Sequence, residues 1–270
     1  MVSFDITGKV ALITGGASGL GYKYALELLR KGAKGVTLAD VNAEVGQKAI
    51  EEIESEFGKG KAVFVVTDVT SSEQFEEAFK QTVANFQNVD ILVNNAGILN
   101  DGIWQKEVDI NVNGVINGIL LGLENYIPKH KSGDEGVILN ISSIAGIVPF
   151  ACLPVYTGTK FAVHGMTLAW GLPAHYERTK VRVIAVGPGV TQTPLITDMK
   201  NKNLSSEYEK IREVEVSQAV PQTTDQIAPH VMRIIEKAPP GTLWIVEGGE
   251  KPYQYVMPDR HMLENKIYLD

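Results

Sequence analysis

Short runs of aliphatic and β-branched residues alternate along the chain with longer stretches in which apolar residues recur every three to four positions. The runs Lys9–Thr14, Gly35–Asp40, Ala62–Asp68, Val89–Asn94, Gly136–Ser142, Val181–Val186 and Thr242–Val246 are apolar nearly throughout. Continuous rather than alternating apolar character predicts strands covered on both faces. Between them, Leu20–Arg30 carries Leu20, Tyr24, Ala25 and Leu28 at helical spacing, and Ala43–Phe57, Ser72–Phe86, Trp104–Pro128, Val155–Tyr176 and Thr224–Lys237 follow the same period. Strands that alternate with helices predict an α/β fold. It is a doubly wound sheet of seven parallel strands, with right-handed crossovers and helices on both faces. No repeat, low-complexity tract or linker divides the chain, so residues 1–270 read as a single domain. Thr193–Gln222, polar and irregular, reads as a flap, and Lys251–Asp270 as a tail that closes either a pocket or a subunit interface.

Composition narrows the function classes. With 270 residues, 44% hydrophobic and 21% charged, the chain is ordinary globular protein rather than disordered or fibrous. A formal charge of −7, from 25 Lys plus Arg against 32 Asp plus Glu, argues against nucleic acid or an anionic membrane as partner. The first residues lack the pattern of a signal peptide, and no apolar run reaches the roughly 20 residues of a membrane helix. The expectation is a soluble, cytoplasmic protein. Cys152 is the only cysteine, which excludes an intramolecular disulfide and fits a reducing compartment. The five histidines, His130, His164, His175, His230 and His261, show no metal-ligand spacing, so no metal is expected.

The first candidate chemistry lies between the first strand and the first helix, in Thr14-Gly15-Gly16-Ala17-Ser18-Gly19-Leu20-Gly21. Gly15, Gly19 and Gly21 permit a tight turn and close approach of backbone to a ligand, and Ser18 and Leu20 sit where helix amides point outward. Such a turn aims a helix N-terminus at a pyrophosphate. Asp40 ends the second strand 19 residues beyond Gly21, close to the roughly 20 at which an acid bonds the adenosine ribose. A carboxylate there accepts from a 2′-hydroxyl and repels a 2′-phosphate. No Lys or Arg stands at Gly16–Ser18 or Val41 to neutralise that phosphate, so the cofactor read from the residues is NAD rather than NADP.

The second constellation is Tyr156 and Lys160, four apart at the start of a predicted helix and so on one face of it. A tyrosine acting as a base at neutral pH must have its pKa lowered from about 10 to about 7, which takes about 4 kcal/mol. A cation about 4 Å away at an effective dielectric near 20 supplies roughly that amount. Ser143 ends the fifth strand 13 residues earlier, and Asn94-Asn95-Ala96-Gly97 ends the fourth. Both belong to the carboxyl ends of strands, where doubly wound sheets bind ligands. Asn111 lies inside a long helical pattern, where asparagine is a poor helix former, which points to a role other than helix formation.

Taken together, Gly15-x-x-x-Gly19-x-Gly21, Asn94–Gly97, Asn111, Ser143, Tyr156, Lys160 and Pro188-Gly189 resemble the short-chain dehydrogenase/reductase family over about residues 6–195. The resemblance implies a single Rossmann domain with strand order 3-2-1-4-5-6-7. It implies that Tyr156 is the acid/base, that Lys160 lowers its pKa and bonds the nicotinamide ribose, that Ser143 orients the reacting oxygen, and that Asn111 holds a water in a proton relay. It further implies that Asp68 and Val69 contact the adenine, with Val41 beside Asp40. Asn95, Ala96 and Gly97 would lie along the cofactor, and Pro188, Gly189, Val190, Thr191 and Thr193 would flank the nicotinamide end. A homo-oligomer, a dimer before a tetramer, built on the helices Trp104–Pro128 and Val155–Tyr176, is implied in the same way.

Within that family the chain is similar to the branch of insect-type alcohol dehydrogenases and hydroxyprostaglandin dehydrogenases: Asn95–Asp101, Pro154–Lys160 and Gly241–Trp244 resemble the insect enzymes, and the helix before Ile127 and Glu135–Gly146 resemble both. Leu153 stands where the prostaglandin enzymes carry a substrate-contacting glutamine. The activity implied is NAD-dependent oxidation of a primary or secondary alcohol, in a pocket walled by Phe150, Leu153, Pro188 and the flap, and so suited to a lipophilic substrate. An NADP(H)-dependent carbonyl reductase and a non-catalytic dinucleotide-binding sensor are the alternative readings. Cys152, with no activating partner in the sequence, reads as packing or pocket lining.

Overall fold

The structure, a computed structural model, describes residues 3–197, 199–215 and 221–259. Its centre is one sheet of β1 (Val10–Thr14), β2 (Gly35–Asp40), β3 (Ala62–Val66), β4 (Ile91–Asn94), β5 (Gly136–Ile141), β6 (Val181–Pro188), β7 (Leu243–Val246) and β8 (Tyr253–Tyr255). They run in the order β3-β2-β1-β4-β5-β6-β7-β8. The first seven are parallel neighbours, as the sequence pattern predicts. The eighth pairs antiparallel with β7, Ile245 opposite Tyr253, so the sheet has eight strands rather than seven. Part of the tail is thus sheet edge, and its residues 260–270 lie outside the described set.

Helices cover both faces, because each strand sends alternate side chains to opposite sides. On one face Ala11, Ile13 and Val36 pack with Tyr24, Ala25 and Leu28 of α1 (Gly19–Arg30), Ala49 and Ile53 of α2 (Ala43–Phe57), and a late helix bearing Ile227, Val231 and Ile235. On the other face Leu12, Leu92 and Ile138 pack with Phe75 and Phe79 of α3 (Ser72–Phe86), with Val115, Ile119 and Leu123, and with Val163. The last four belong to α4, residues 104–130, and α5, Pro154–Trp170.

Two departures from the expected helices bear on the site. Helix α4 is not uniform: Asp109–Asn113 and Leu121–Tyr126 are π-helical turns, and Asn111 sits in the first of them. A π turn inserts one extra residue per turn and re-aims the side chains there, a device frequent at functional sites. The helix expected over Val155–Tyr176 stops at Trp170 and restarts as α6, Pro173–Thr179. Leu172, the residue before Pro173, takes extended backbone and ends the helical run, and Gly171 lets the turn close against Gly241, where a β-carbon would lie 2.0 Å from Gly241 N. Among its described residues the flap holds two short helices, α7 (Pro194–Thr197) and α8 (Ser206–Glu215), and α9 (Thr224–Lys237) follows with Thr223 and Gln226 forming a capping box. Asp198 and residues 216–220 of the flap lie outside the described set.

Candidate active site

A cavity of about 990 Å³ opens along the carboxyl ends of the strands, at the upper end of the roughly 300–1,000 Å³ range of small-molecule sites. At one end Gly15, Ser18, Gly19 and Leu20 line it. Gly15 (φ 61°) and Gly19 (φ 55°) take the left-handed conformation that only glycine adopts without strain. Gly21 does not line the cavity but stands behind the loop, where a β-carbon would lie 2.3 Å from Gly15 O, so it lets the helix close onto the turn. Asn95 lines the cavity, yet its side-chain amide is occupied: Nδ2 donates to Thr14 O at 2.9 Å and Gly15 O at 3.2 Å. Thr14 Oγ1 accepts from both Asn95 N and Ala96 N at 3.0 Å. The ends of β1 and β4 are stitched together, which gives the glycine loop one shape.

Asp40, Val41, Asp68 and Val69 continue the same wall. The Asp40 carboxylate accepts from Ala17 N and Asn42 N, both at 3.1 Å, and so is held at the loop with oxygen lone pairs to spare. Asp68 Oδ1 accepts from Thr70 N at 2.9 Å and Thr70 Oγ1 at 2.7 Å, an Asx turn, and Val69 O accepts from Asn117 Nδ2 at 3.0 Å. Pro188, Gly189, Val190, Thr191 and Thr193 form the opposite wall, followed by the flap. A β-carbon on Gly19 would lie 3.7 Å from Thr193 and from Pro194, so the start of the flap roofs the glycine loop.

Ser143, Tyr156 and Lys160 lie together at the deep end of the cavity, with Gly97 and Ala96 beside them. Ser143 Oγ accepts from Ala145 N at 3.1 Å, which fixes the hydroxyl near the Tyr156 phenol. Lys160 Nζ donates to Ile141 O at 3.0 Å and lies 5.5 Å from the centre of the Tyr156 ring. Tyr156 is 7% and Lys160 6% exposed. That burial dominates their electrostatics. It pushes the phenol above its ordinary value, against the opposing pull of the Ser143 hydroxyl, and pushes the lysine down to about 8. The expectation that the ammonium lowers the phenol is therefore not expressed by these residues alone. Desolvation penalises the charged form of both groups and is the largest cause for each.

Asn111 is 1% exposed and stands behind the cavity wall. Its Oδ1 accepts from Ile98 N and its Nδ2 donates to Ile98 O, both at 2.9 Å, and Nδ2 also meets Thr159 Oγ1 at 3.2 Å. The π turn gives it this reach, and it braces the loop after Gly97 against α5. Beyond Tyr156 the wall turns apolar, with Leu99, Ile103, Phe150, Leu153, Leu195 and Met199, and Lys106, Lys200, Lys202 and Arg212 also among the lining residues.

Several contacts at the cavity's edge had no sequence signal. Glu215 of α8 accepts from Ala151 N at 3.0 Å and Cys152 N at 2.9 Å, and Asn203 Nδ2 donates to Cys152 O at 2.8 Å. These bonds latch the flap to the loop that carries Phe150 and Leu153. Cys152 is fully buried, and burial together with Glu215 pushes its thiol up to about 12, which removes it as a nucleophile. Asp101 and Glu107, both 0% exposed, lie under the start of α5 and look in sequence like solvated acids. Among the described residues no group of three or more His, Cys, Asp or Glu could hold a metal ion, and no helix is long and apolar enough to cross a membrane.

A family model described as short chain dehydrogenase matches residues 9–204. The chain is 39% identical over 203 residues to 15-hydroxyprostaglandin dehydrogenase [NAD(+)] of Bos taurus, covering 75% of this chain and 76% of that one. It is 30% identical over 259 residues to alcohol dehydrogenase 1 of Ceratitis cosyra, covering 94% and 99%. Among solved structures, levodione reductase superposes with a TM-score of 0.74 at 26% identity, over 90% of this chain and 97% of that one. The glycine loop, the acid at the end of β2 and the Ser143, Tyr156 and Lys160 cluster all lie within the matched residues, and this chain belongs to the short-chain dehydrogenase family.

Proposed function

We propose that the protein is an NAD-dependent dehydrogenase that oxidises a lipophilic primary or secondary alcohol to its carbonyl, with Tyr156 as acid/base. The observation that carries this reading is that the glycine loop, Asp40 and the Ser143, Tyr156 and Lys160 cluster line one continuous cavity. The residues fit a dinucleotide. Gly15 leaves no room for a side chain against Asn95 and Ala96 and so exposes its backbone to a ligand, the amides at Ser18–Leu20 suit a pyrophosphate, and the Asp40 carboxylate suits a ribose diol. The absence of Lys and Arg at residues 16–18 and 41 favours NAD over NADP. Bound NAD supplies the hydride acceptor and a positively charged ring.

The chain does the rest. Ser143 holds the substrate oxygen beside the Tyr156 hydroxyl, and Tyr156 takes the hydroxyl proton as the carbonyl forms. Lys160, its Nζ fixed by Ile141 O, adds positive charge next to the phenolate and offers donors to a ribose. Asn111 keeps the Ile98 loop from collapsing onto the reacting groups. The flap and the apolar residues around Leu153 exclude water and select a lipophilic alcohol. Because burial favours the neutral phenol, the same residues also serve the reverse reaction, in which Tyr156 donates its proton to a carbonyl oxygen. A homodimer on α4 and α5, which leave Trp104, Leu120 and Phe161 exposed, belongs to this reading.

The Tyr156→Phe variant tests it. Turnover with a panel of alcohols, followed by NADH absorbance, is expected to fall by about 10²- to 10⁴-fold, while calorimetric NAD binding stays within a few-fold of wild type. Near-normal turnover would remove Tyr156 from the mechanism.

A further inference from the structure

The helix that carries Tyr156 has no cap of its own. Its N-cap position is Leu153, with no side-chain bond, and Pro154 follows. The next two amides, Val155 N and Tyr156 N, donate to the two oxygens of Asp101 at 2.9 and 3.0 Å. A carboxylate from another segment thus caps this helix, where the helix dipole favours its charge. Against Asp101 lies Glu107. Its Oε1 accepts from Asn100 N at 2.7 Å, but its Oε2 is buried with no donor to accept from and faces the Asp101 carboxylate.

Two neighbouring carboxyls at 0% exposure disfavour double ionisation, and two acceptors cannot bond each other. Asp101 already accepts from two amides. A proton on Glu107, donated to Asp101, satisfies the one orphaned oxygen and removes the like-charge conflict. The charged or titratable groups that bear on Glu107 from the packed elements are Asp101 from its turn and Lys160 from α5; Tyr156, also on α5, feels Glu107 in turn. Burial first, and then Asp101, raise the Glu107 carboxyl to about 8.

We propose that Glu107 is a positioning residue, a neutral carboxylic acid that donates its proton to Asp101, and that the pair together seats the first turn of α5 so that the Tyr156 phenol meets Ser143 and the substrate oxygen. This rests on Tyr156 being the acid/base. The proton on Glu107 has a second effect, because a negative charge there would oppose ionisation of Tyr156. Ordinary N-caps are small polar side chains next to the first turn; here the same task falls to an acid dimer that water does not reach.

Two variants separate the roles. Glu107→Gln keeps the shape, a donor for Asp101 and an acceptor for Asn100 N, whereas Glu107→Ala leaves a hole under the helix. Glu107→Gln is expected to hold kcat within about threefold of wild type, and Glu107→Ala to lose about 10- to 100-fold in kcat, the scale of a small misplacement, with NAD binding unchanged in both. The infrared carbonyl band of a protonated carboxyl is expected in wild type at pH 7 and absent in Glu107→Gln. Because the folded-state pKa lies above the ordinary 4.5, the stability of wild type to urea relative to Glu107→Gln should fall as pH rises from about 5 to about 8. If Glu107→Ala does not fold, the band and the urea series on Glu107→Gln still decide. Full activity in Glu107→Ala, inactivity in Glu107→Gln, or a band unchanged by Glu107→Gln would each overturn the proposal. Activity retained in Tyr156→Phe would instead overturn the acid/base reading; an inactive Tyr156→Phe with a fully active Glu107→Ala would overturn only the role of the pair.

Discussion

Asp40 spends one lone pair of each oxygen on the chain, at Ala17 N and Asn42 N, and keeps the others for a ligand. Losing a hydrogen bond to a charged acceptor costs about 1.5–3 kcal/mol. Asp40→Ala is therefore expected to lower kcat/KM for NAD by roughly 10- to 100-fold and to raise it for NADP, since the repelling charge is gone. An unchanged NAD-to-NADP ratio would show that this carboxylate does not read the ribose. Lys160 gives a prediction with a definite sign. Its folded pKa is about 8 against an ordinary 10.5, so at pH 7 the folded chain bears a charge that the unfolded chain holds more easily. The folded form releases its proton first as pH rises, and wild-type stability recovers between those two values. Lys160→Met should abolish turnover yet resist urea better at pH 7, by about 1–2 kcal/mol after the lost bond to Ile141 O. That gain should shrink as pH climbs from about 8 toward 10.5. At this scale Gly15, Gly19, Asp40, Ser143, Tyr156 and Lys160, which line one cavity, were legible as a candidate site from their residue types and spacing. Asp101, Glu107 and Glu215 were not, since an acid in a polar stretch reads as solvated until the fold buries it.

Elements were legible where their period was long and their ends punctuated. The first seven strands and α1 to α3 follow the apolar pattern, and Asn42 and Ser71 cap α2 and α3 by accepting from Val45 N and Gln74 N. The break between α5 and α6 was written in Gly171 and Pro173 but overridden by the continuing apolar period. The π turns of α4 leave no mark in a period-based reading, because one extra residue per turn hardly shifts it. Strand β8 is three residues long, and only the unpaired edge of β7 selects it. One junction between elements can be tested alone. Arg182 of β6 donates to Glu135 Oε2 at 2.6 Å, Ala238 O at 2.7 Å and Ile235 O at 2.8 Å, so one guanidinium ties the sheet to the C-terminus of α9. Arg182→Met, which orphans those carbonyls, should destabilise the chain by about 3 kcal/mol in urea titration. A loss below about 1 kcal/mol would mean that water replaces the guanidinium there.

For the whole molecule, the cavity couples cofactor binding to stability, because its walls come from the ends of β1, β2, β4, β5 and β6 together with the flap. A ligand that needs all of these in place binds only the folded chain. NAD at about 100 times its Kd should add about 2.7 kcal/mol, and at roughly 2–4 °C per kcal/mol for chains of this size the thermal midpoint should rise by about 5–10 °C. NADP at the same concentration should give less, and equal shifts would contradict the preference read at Asp40. The molecule's two flanks differ in kind: β3 ends the sheet on one side, and on the other the short antiparallel strand seals β7. Cutting the chain after Lys251 would strip that seal and bare the outward amides and carbonyls of Leu243–Val246, an invitation for a stray strand from another molecule to dock there. The short strand Tyr253–Tyr255 thus guards the β7 edge against clumping, quite apart from anything it does for the reaction.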